Sequence, residues 1–449
     1  MFNLEKSSIF ELNGMPSIGK SIPMALQHVV AMIVGCVTPA LIISQAVTSS
    51  VDNHGIILVQ SALITASIAT FIQLFPIGKY FGSKLPVIMG VSFAYLSSML
   101  AIAEGYDLSA IFGAQIVGGI IAAIVGVFVR KIRRFFPPMI TGTVVFTIGL
   151  SLYPTAINYM AGGVGSPNYG SWQNWSIAIL TLTIVTTLNH FGKGLIKLSS
   201  ILIGIVVGYI VAIPFGMINL TPVSTAKVFQ LPQFLPFGIS FELSACMALG
   251  ILFTINAIQA IGDFSATTIG GLDREPTNSE LQGGIIGYGL SNVLGAFFGG
   301  LPTSTYSQNV GIVASTKVIN RITLGMSATI LLIAGLIPKF SAILTTIPQC
   351  VLGGATISVF ASIAMTGMKL VTSEKMNYRN SSIVGLSAAL GVGISQASGA
   401  IASFPPWFIM IFGKSPVVLA TLTAVILNII LPTEKESEKK ELKQIDKSI

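Results

Sequence analysis

Two carboxamides and one carboxylate are the residues of this 449-residue sequence that best suit ligand chemistry. Gln308 lies in the stretch YSQNVGIVASTK, where hydroxyls, amides and glycines occur together, and Gln259 and Asp263 lie in AIQAIGDFSAT. A carboxamide offers two N–H donors and one C=O acceptor, so a glutamine can recognise the polar edge of a small ligand with two hydrogen bonds. The carboxylate is a candidate for binding and releasing a proton.

The composition places these polar residues in a membrane. The chain is 52% hydrophobic and 9% charged, whereas soluble proteins carry about 25% charged residues. Hydroxyl and amide groups are costly in hydrocarbon unless they are satisfied. Helix capping would explain one polar residue but not the seven consecutive ones at 303–309. These residues are therefore predicted to form a binding site.

The charged residues, cysteines and histidines argue against other classes of protein. The net charge is +8, but the basic residues lie almost wholly between apolar runs, as the membrane orientation rule predicts. Nucleic acid is therefore not an expected partner. The three cysteines have no pairing or metal-ligand spacing, and the three histidines are scattered, without paired carboxylates. We expect neither a membrane enzyme with catalytic residues nor a bound metal or cofactor.

Fourteen apolar runs have the length of membrane-spanning segments or of broken ones. An even number places both termini on one side, and 21 of the 24 basic residues then lie on that side, which identifies it as the cytoplasm. We expect a multi-pass protein of the plasma membrane, embedded in the lipid bilayer, with a retained first span and a solvated tail. The runs are 22–47, 54–75, 85–103, 108–129, 137–156, 174–190, 198–218, 243–263, 281–299, 308–316, 322–346, 347–368, 380–397 and 415–432.

Two pairs of similar segments indicate two repeats. LPVIMGVSFAY begins at Leu85 and LPTSTYSQNVG begins at Leu301, 216 residues later. Pro137 and Pro348, which are 211 residues apart, each precede a glycine by five residues. Seven spans per half make the repeats inverted, and transporters of that kind bind substrate at mid-membrane between two discontinuous helices. The predicted fold class is an all-α polytopic membrane protein with two inverted seven-span repeats and short extended stretches in segments 3 and 10.

The stretch QNVGIVASTK resembles the signature of the nucleobase–ascorbate transporter family, also called nucleobase:cation symporter type 2. That signature is Gln or Glu, Asn, any residue, Gly, four residues, Thr, and a basic residue or Gly. The positions that fill it are Gln308, Asn309, Gly311, Thr316 and Lys317. The resemblance covers nearly the whole chain and is strongest to bacterial xanthine and uracil permeases. Further similar segments are ALQHVVAM, GVSFAYLS, AIQAIGDFSAT and IPQCVLGGATISVF.

The resemblance implies import of a nucleobase by alternating access of a core domain against a gate domain. Glutamine at the first signature position favours a purine, xanthine or uric acid, coupled to protons or alternatively to sodium ions. The family also implies a homodimer formed through the gate domain. The expected ranges are a cytoplasmic N-terminus (1–21), core spans 1–4 (22–135), gate spans 5–7 (136–218), an inter-repeat loop (219–241), core spans 8–11 (242–346), gate spans 12–14 (347–432) and a cytoplasmic tail (433–449).

The resemblance also implies roles for individual residues. An ionisable residue inside the membrane is the first candidate for moving an ion, so Asp263 and His28 are the candidates for proton coupling. The expected substrate-binding residues are Gln308, Gln259, Phe93, Ser307 and His28. The residues expected to organise the site are Asn309, Gln27, Thr305 and Tyr288.

Two positions depart from the family pattern. Members commonly carry glutamate where this chain has Gln259, and many bacterial members carry aspartate where it has Tyr288. Asp263 is then the only acidic residue expected inside the core. Proton coupling therefore depends on Asp263, together with His28, or is absent.

Several alternatives stay open at this level. Phe93 could stack on a base, a contact worth about 1–3 kcal/mol, or be a core residue. Gln259 could join helices by a hydrogen bond, and Asp263, near one end of its span, could be solvated or cap a helix. The protein could carry uracil or another nucleobase, or be an uncoupled facilitator. A more distant alternative is an anion transporter of the same fold, because exposed helix N-termini suit anions.

Overall fold

The computed structural model describes residues 9–47, 54–78, 80–132 and 137–432, and these ranges are mainly helical. The first half contains α1 (Ile18–Val47), α2 (His54–Leu74), β1 (Met89–Val91), α3 (Leu96–Gly105), α4 (Leu108–Val127), α5 (Val129–Ile132), α6 (Pro138–Met160), α7 (Trp172–Phe191), α8 (Leu195–Leu198), α9 (Ser200–Ala212) and α10 (Thr221–Thr225). The second half contains α11 (Leu243–Leu272), α12 (Asn278–Phe297), β2 (Thr303–Thr305), α13 (Ser307–Thr316), α14 (Arg321–Gly335), α15 (Pro338–Thr345), α16 (Gln349–Val371), α17 (Tyr378–Gln396), α18 (Pro406–Phe408) and α19 (Pro416–Ile430).

Several of these helices are long and apolar enough to cross a membrane. Within the described ranges six qualify by length and composition, namely α1, α2, α4, α6, α11 and α16, and two bent pairs qualify when each is taken together. The chain is therefore a multi-pass membrane protein, and the count of fourteen spans stays a prediction. The predicted tail 433–449, residues 1–8 of the predicted N-terminus and the boundary of the core and gate ranges at 133–136 lie outside the described residues.

One predicted span is interrupted. The run 322–346 is predicted as a single segment, but α14 and α15 are bent by 79° at the break between Gly335 and Pro338. Pro338 stands at the start of α15. The first N–H groups of a helix have no acceptor within it, so proline is tolerated there, whereas inside a continuous helix it would remove a backbone hydrogen bond. Residues 406–413 and α19 form the second bent pair, also at 79°.

The order of elements repeats in the two halves. A 30-residue helix (α1 or α11) is followed by a helix of 21 or 20 residues (α2 or α12), then by a strand of 3 residues and a half-helix of 10 residues (α3 or α13). A 23-residue helix, α6 or α16, comes later in each half. The two strands pair antiparallel. The chain therefore runs in opposite directions where the halves meet, as inverted repeats require.

The helices form two packed groups. The first group joins α1–α4 with α11–α14, and the second joins α6, α7 and α9 with α16, α17 and α19. Small residues let helices approach closely in both groups. A Cβ at Gly119 of α4 would lie 2.7 Å from the carbonyl oxygen of Gly289 of α12, and a Cβ at Gly142 of α6 would lie 2.8 Å from that of Gly367 of α16. Such contacts are typical of helix packing in membranes.

The two half-helices meet at the antiparallel strand pair. Backbone hydrogen bonds extend the pair at both ends, from Ser92 N to Pro302 O (3.0 Å) and from Tyr306 N to Ile88 O (3.0 Å). Non-helical backbone is tolerated at membrane depth only where protein or cavity water satisfies it, so each half of the chain supplies partners for the other. The register pairs Met89 with Thr305, Gly90 with Ser304 and Val91 with Thr303, and all six residues are buried.

A helix side chain contacts each strand of this pair. The Thr70 hydroxyl of α2 accepts a hydrogen bond from Met89 N at 3.0 Å. The Asn292 amide of α12 accepts from Thr303 N at 2.7 Å and donates to Thr303 O at 3.2 Å. Since α2 and α12 occupy corresponding places in the two halves, each repeat satisfies the backbone of its own strand in the same way.

Replacing Gly90 by alanine is expected to destabilise the strand pair. A Cβ at Gly90 would lie 1.8 Å from Cε2 of Tyr306, so the ring or the strand must move, and overpacking typically costs about 1–3 kcal/mol. We expect G90A to lower the thermal unfolding temperature of the detergent-solubilised protein. The matched control is G311A in α13, where a Cβ would meet nothing within 4 Å. Equal unfolding temperatures for the two variants would contradict this role of Gly90.

Candidate ligand-binding site

A cavity of about 140 Å³ lies where the two half-helices meet. One water needs roughly 10–15 Å³ by this measure, so the space is large enough for a small organic molecule. The first helix group contributes lining residues from α1, β1, the turn after β1, α11, β2 and α13, and the second contributes residues from α6, α9 and α16. The cavity therefore lies between the two groups. The predicted site residues that line it are Phe93, Gln259, Thr305, Ser307 and Gln308.

Both glutamine side chains are available to a ligand. Gln308, in the first turn of α13, is exposed to the cavity, and Gln259, in the middle of α11, is half-buried. Among the described residues neither amide has a hydrogen-bond partner within the protein. Two accessible amides that face one cavity and have all their hydrogen-bonding groups free form a surface suited to a polar ligand. This arrangement does not support the alternative that Gln259 joins two helices.

Phe93 is held at the cavity by a local cap. It opens the 3-10 turn Phe93–Tyr95, which Ser92 caps by accepting a hydrogen bond from Ala94 N at 3.3 Å. The Phe93 ring contacts Phe360 of α16 edge to face, with centroids 5.3 Å apart at 78°. The side chain is buried and lines the cavity, so core packing and ligand contact are compatible roles.

Asp263 connects α11 to the start of the second half-helix. Its carboxylate accepts hydrogen bonds from the Thr305 hydroxyl and from the Ser307 hydroxyl, the latter at 2.8 Å. Ser307 is the first residue of α13, and a negative charge is favourable beside a helix N-terminus. Asp263 is buried, with 8% of its surface exposed. Two hydroxyl groups of the protein, and not solvent alone, thus satisfy this carboxylate.

His28 and Asn309 form a buried contact between α1 and α13. The Asn309 amide nitrogen lies 3.0 Å from His28 Nδ1 and 3.1 Å from the His28 carbonyl oxygen. Since an amide nitrogen donates, Nδ1 accepts and the neutral ring carries its proton on Nε2. His28 is 1% exposed and does not line the cavity. The structure thus places His28 behind the predicted site, next to Asn309, and corrects the prediction of direct substrate contact.

The other two predicted site residues also lie away from the cavity. The Tyr288 hydroxyl is hydrogen-bonded to that of Tyr95, and both side chains are fully buried against Phe253. Tyr288 thus contacts the turn that carries Phe93 and does not reach the cavity. Gln27 is half-buried and is absent from the cavity lining, so the structure does not join it to the residues above.

Sequence reasoning gave no individual role to several residues of the lining. The Tyr306 ring lies between Gly35 of α1 and Gly90 of β1, and its hydroxyl donates to Val91 O at 2.6 Å. Ser304 also lines the cavity. The extended stretch LPTSTY contains both side chains, and its alternation could have shown which ones share a face. The contributions of α6 and α16 have no comparable signal, since they come from apolar and hydroxyl residues typical of any span.

A second cavity of about 360 Å³ adjoins the first. Both are lined by Gln259 and Ser307 of the first helix group and by Val145 and Thr366 of the second. Asp263 lines only the second cavity. Helix α11 therefore contributes Asp263 to the second cavity and Gln259 to the place where the two cavities adjoin.

A comparison with protein families gives one match over most of the chain. A family model with the description "Permease family" matches residues 19–399. The match contains both half-helices, both strands and every residue named above as lining the first cavity.

Individual relatives are similar over nearly their full length. The chain is 34% identical to the xanthine permease of Bacillus subtilis over 94% of this chain and 96% of that protein. It is 34% identical to the uric acid permease PucJ of the same organism over 93% of this chain and 94% of that protein. These proteins carry their names from their own substrates.

A solved structure shows the same architecture. The transmembrane domain of the bicarbonate transporter BicA of a cyanobacterium superposes with a TM-score of 0.59, at 16% identity, over 91% of this chain and 98% of that one. At this identity the likeness concerns the fold alone. Together with the described helices and the paired strands, it confirms an all-α polytopic fold with short extended stretches before two half-helices, and the count of seven spans per repeat stays a prediction.

Proposed function

Because the chain belongs to this permease family, the nucleobase–ascorbate transporters, we propose that it imports a purine nucleobase, with xanthine or uric acid favoured. Family membership makes the chain a transporter and not an enzyme. The observation that carries the choice of ligand is the pair of unpartnered amides, Gln259 and Gln308, on one cavity that Phe93 also lines. The two relatives named for xanthine and uric acid support the same class.

The chemistry of an oxidised purine matches this lining. Such a base is flat and presents alternating N–H donors and C=O acceptors around its edge, and a carboxamide can pair with one donor and one acceptor at a time. Gln308 and Gln259 would each bind one edge, and Phe93 would contact the face of the ring, as aromatic side chains do with bases generally. Backbone N–H groups at the start of α13 are further donors for a ring oxygen.

The position of Asp263 argues against a small inorganic anion as the substrate. In an anion transporter of this fold the N-terminus of a half-helix would attract the substrate. Here the Asp263 carboxylate already accepts a hydrogen bond from Ser307, the first residue of α13. A second negative charge at that end of α13 would be repelled.

We propose that transport occurs by movement of a core domain (22–135 and 242–346) against a gate domain (136–218 and 347–432). The two packed helix groups correspond to these ranges, and the cavity is lined from both. Two of the polar contacts between the groups lie close together. Ser98 Oγ of α3 lies 2.6 Å from Ser415 Oγ, and Lys414 Nζ lies 3.2 Å from the Glu104 carboxylate. Movement of the core would break both contacts.

The remaining features of the proposal follow from charge and family. The excess of basic residues on one side supports cytoplasmic termini in a plasma membrane, and the family supports a homodimer formed through the gate domain. For coupling, Asp263 is the only acidic side chain that is buried within the described residues. We assign proton binding to Asp263, with His28 acting through Asn309, and sodium coupling or uncoupled transport are the competing outcomes.

Uptake of radiolabelled xanthine, competed by urate, hypoxanthine, guanine, uracil and sulfate, tests the proposed substrate class. We expect xanthine and urate to compete most strongly. Gln308→Ala is expected to raise the KM for xanthine about 5- to 150-fold, since a bidentate contact to a base is worth about 1–3 kcal/mol. The control Gln396→Ala changes an exposed amide at the end of α17. Competition by sulfate or uracil alone would contradict a purine carrier.

Proton coupling is tested in vesicles with and without an imposed pH gradient. We expect the gradient to drive accumulation of xanthine in the unsubstituted protein. Asp263→Asn should lose this accumulation while keeping exchange of labelled for unlabelled substrate, because exchange needs no net proton movement. The companion variant Gln259→Glu introduces the acidic residue that relatives commonly have. The assignment would be overturned if accumulation did not respond to the pH gradient, whether it responded to a sodium gradient or to neither gradient.

A disulfide between positions 98 and 415 is expected to stop transport. The two hydroxyl oxygens are 2.6 Å apart, close to the roughly 2.05 Å of a disulfide bond. In Ser98→Cys/Ser415→Cys, oxidation should abolish uptake and reduction should restore it. The controls are both single variants and the unsubstituted protein, since Cys36, Cys246 and Cys350 are free thiols. Full uptake by the cross-linked protein would exclude this movement.

A further inference from the structure

The three side chains of strand β2 differ in how their hydroxyls are satisfied. Thr303 Oγ1 lies 3.4 Å from Asn292 Oδ1, and the Thr305 hydroxyl donates to Asp263. Ser304, between them, has a buried hydroxyl with no hydrogen-bond partner among the described residues. Only 3% of the Ser304 surface is exposed, and the residue lines the first cavity.

The alternation of a β-strand explains why Ser304 is the exception. Neighbouring side chains on a strand point to opposite faces, so Ser304 faces away from Asn292 and Asp263. Its partner across the strand pair is Gly90, which has no side chain to offer. Ser304 borders the cavity, and its hydroxyl oxygen, which the surrounding atoms cover, would have to turn towards that space to contact a ligand.

An unsatisfied hydroxyl that borders a cavity can be satisfied by a ligand bound there. Leaving a buried polar group unpaired costs about 1–3 kcal/mol, and alanine would fill this position without that cost. The two flanking threonines show that the surrounding protein can satisfy hydroxyls on β2 where they serve the fold. The Ser304 hydroxyl is thus available to form a hydrogen bond with a group that does not belong to the protein.

We propose that Ser304 Oγ makes a direct hydrogen bond to the ring of the bound nucleobase, as a third polar contact beside Gln259 and Gln308. This inference rests on the proposed function of the cavity. A hydroxyl can donate to a ring carbonyl or accept from a ring N–H. Ser304 therefore selects for a base with an oxo or N–H group at that position of the edge and against one that carries a methyl group there.

The test compares inhibition constants of a purine series in Ser304→Ala and in the unsubstituted protein. The series is xanthine, hypoxanthine, urate and the 1-, 3-, 7- and 9-methylxanthines, each as a competitor of labelled xanthine uptake. We expect Ser304→Ala to weaken xanthine binding about three- to tenfold, the effect of one hydrogen bond. The loss should vanish for the analogue that lacks the partner group, because residue and ligand group then form one double-mutant cycle.

Thr303→Val is the matched control. It removes a hydroxyl from the opposite face of the same strand, one that does not line the cavity. We expect it to change the amount of folded protein without changing the ratios of inhibition constants. Those ratios do not depend on how much protein folds, so a poorly folding Ser304→Ala still gives a decisive result.

The outcomes separate this inference from the proposed function. If the unsubstituted protein takes up no purine, the proposed function fails. If it does, and Ser304→Ala leaves every inhibition constant unchanged or weakens every analogue equally, Ser304 binds only water or is structural and the inference is overturned.

Discussion

The backbone pairing of β1 with β2 is the interaction on which the rest of the molecule depends. Two helices are broken at membrane depth, and each break leaves N–H and C=O groups that hydrocarbon cannot satisfy. The strands satisfy one another across the two halves, with Thr70 and Asn292 adding a side-chain partner to each strand. Neither half could hold its broken helix alone. The cavity forms at this pairing because the half-helix ends are brought there together.

The polar residues around the strand pair divide into two kinds. The first kind is hydrogen-bonded within the protein. Asp263 is bonded to β2 and α13, Asn292 to β2, and Asn309 to His28. Gln259 and Gln308 have no such partner and face the cavity. A polar group in a membrane must be satisfied by the protein, by water or by a ligand. An amide that faces the cavity and has no partner in the protein is therefore a candidate for ligand contact, whereas a group that is bonded to β2, α13 or His28 positions the site.

The same criterion explains how far the sequence could predict the site. The broken helices, the extended stretches and the two amides follow from polar residues and prolines in apolar runs, and these features are local. The positions of His28 and Tyr288 cannot be predicted from the local sequence, because they depend on which side of α1 and α12 faces the neighbouring helices. The family resemblance predicted His28 to contact substrate and gave no sign of its contact with Asn309, and nothing in the sequence marks Tyr95 as the partner of Tyr288. The bend at Pro338 had a local signal in the proline itself.

In the proposed function, Asp263 would connect proton binding to ligand binding without touching the ligand. As a carboxylate it accepts from both Thr305 and Ser307, which lie on either side of the junction between β2 and α13. A protonated carboxyl group keeps less acceptor capacity and gains a donor, so one of these two hydroxyls would have to find another partner. Gln308 follows Ser307 directly. Any adjustment at Ser307 would move the amide that is proposed to bind the base. By this route the proposed site would couple a proton to its substrate with glutamine at position 259.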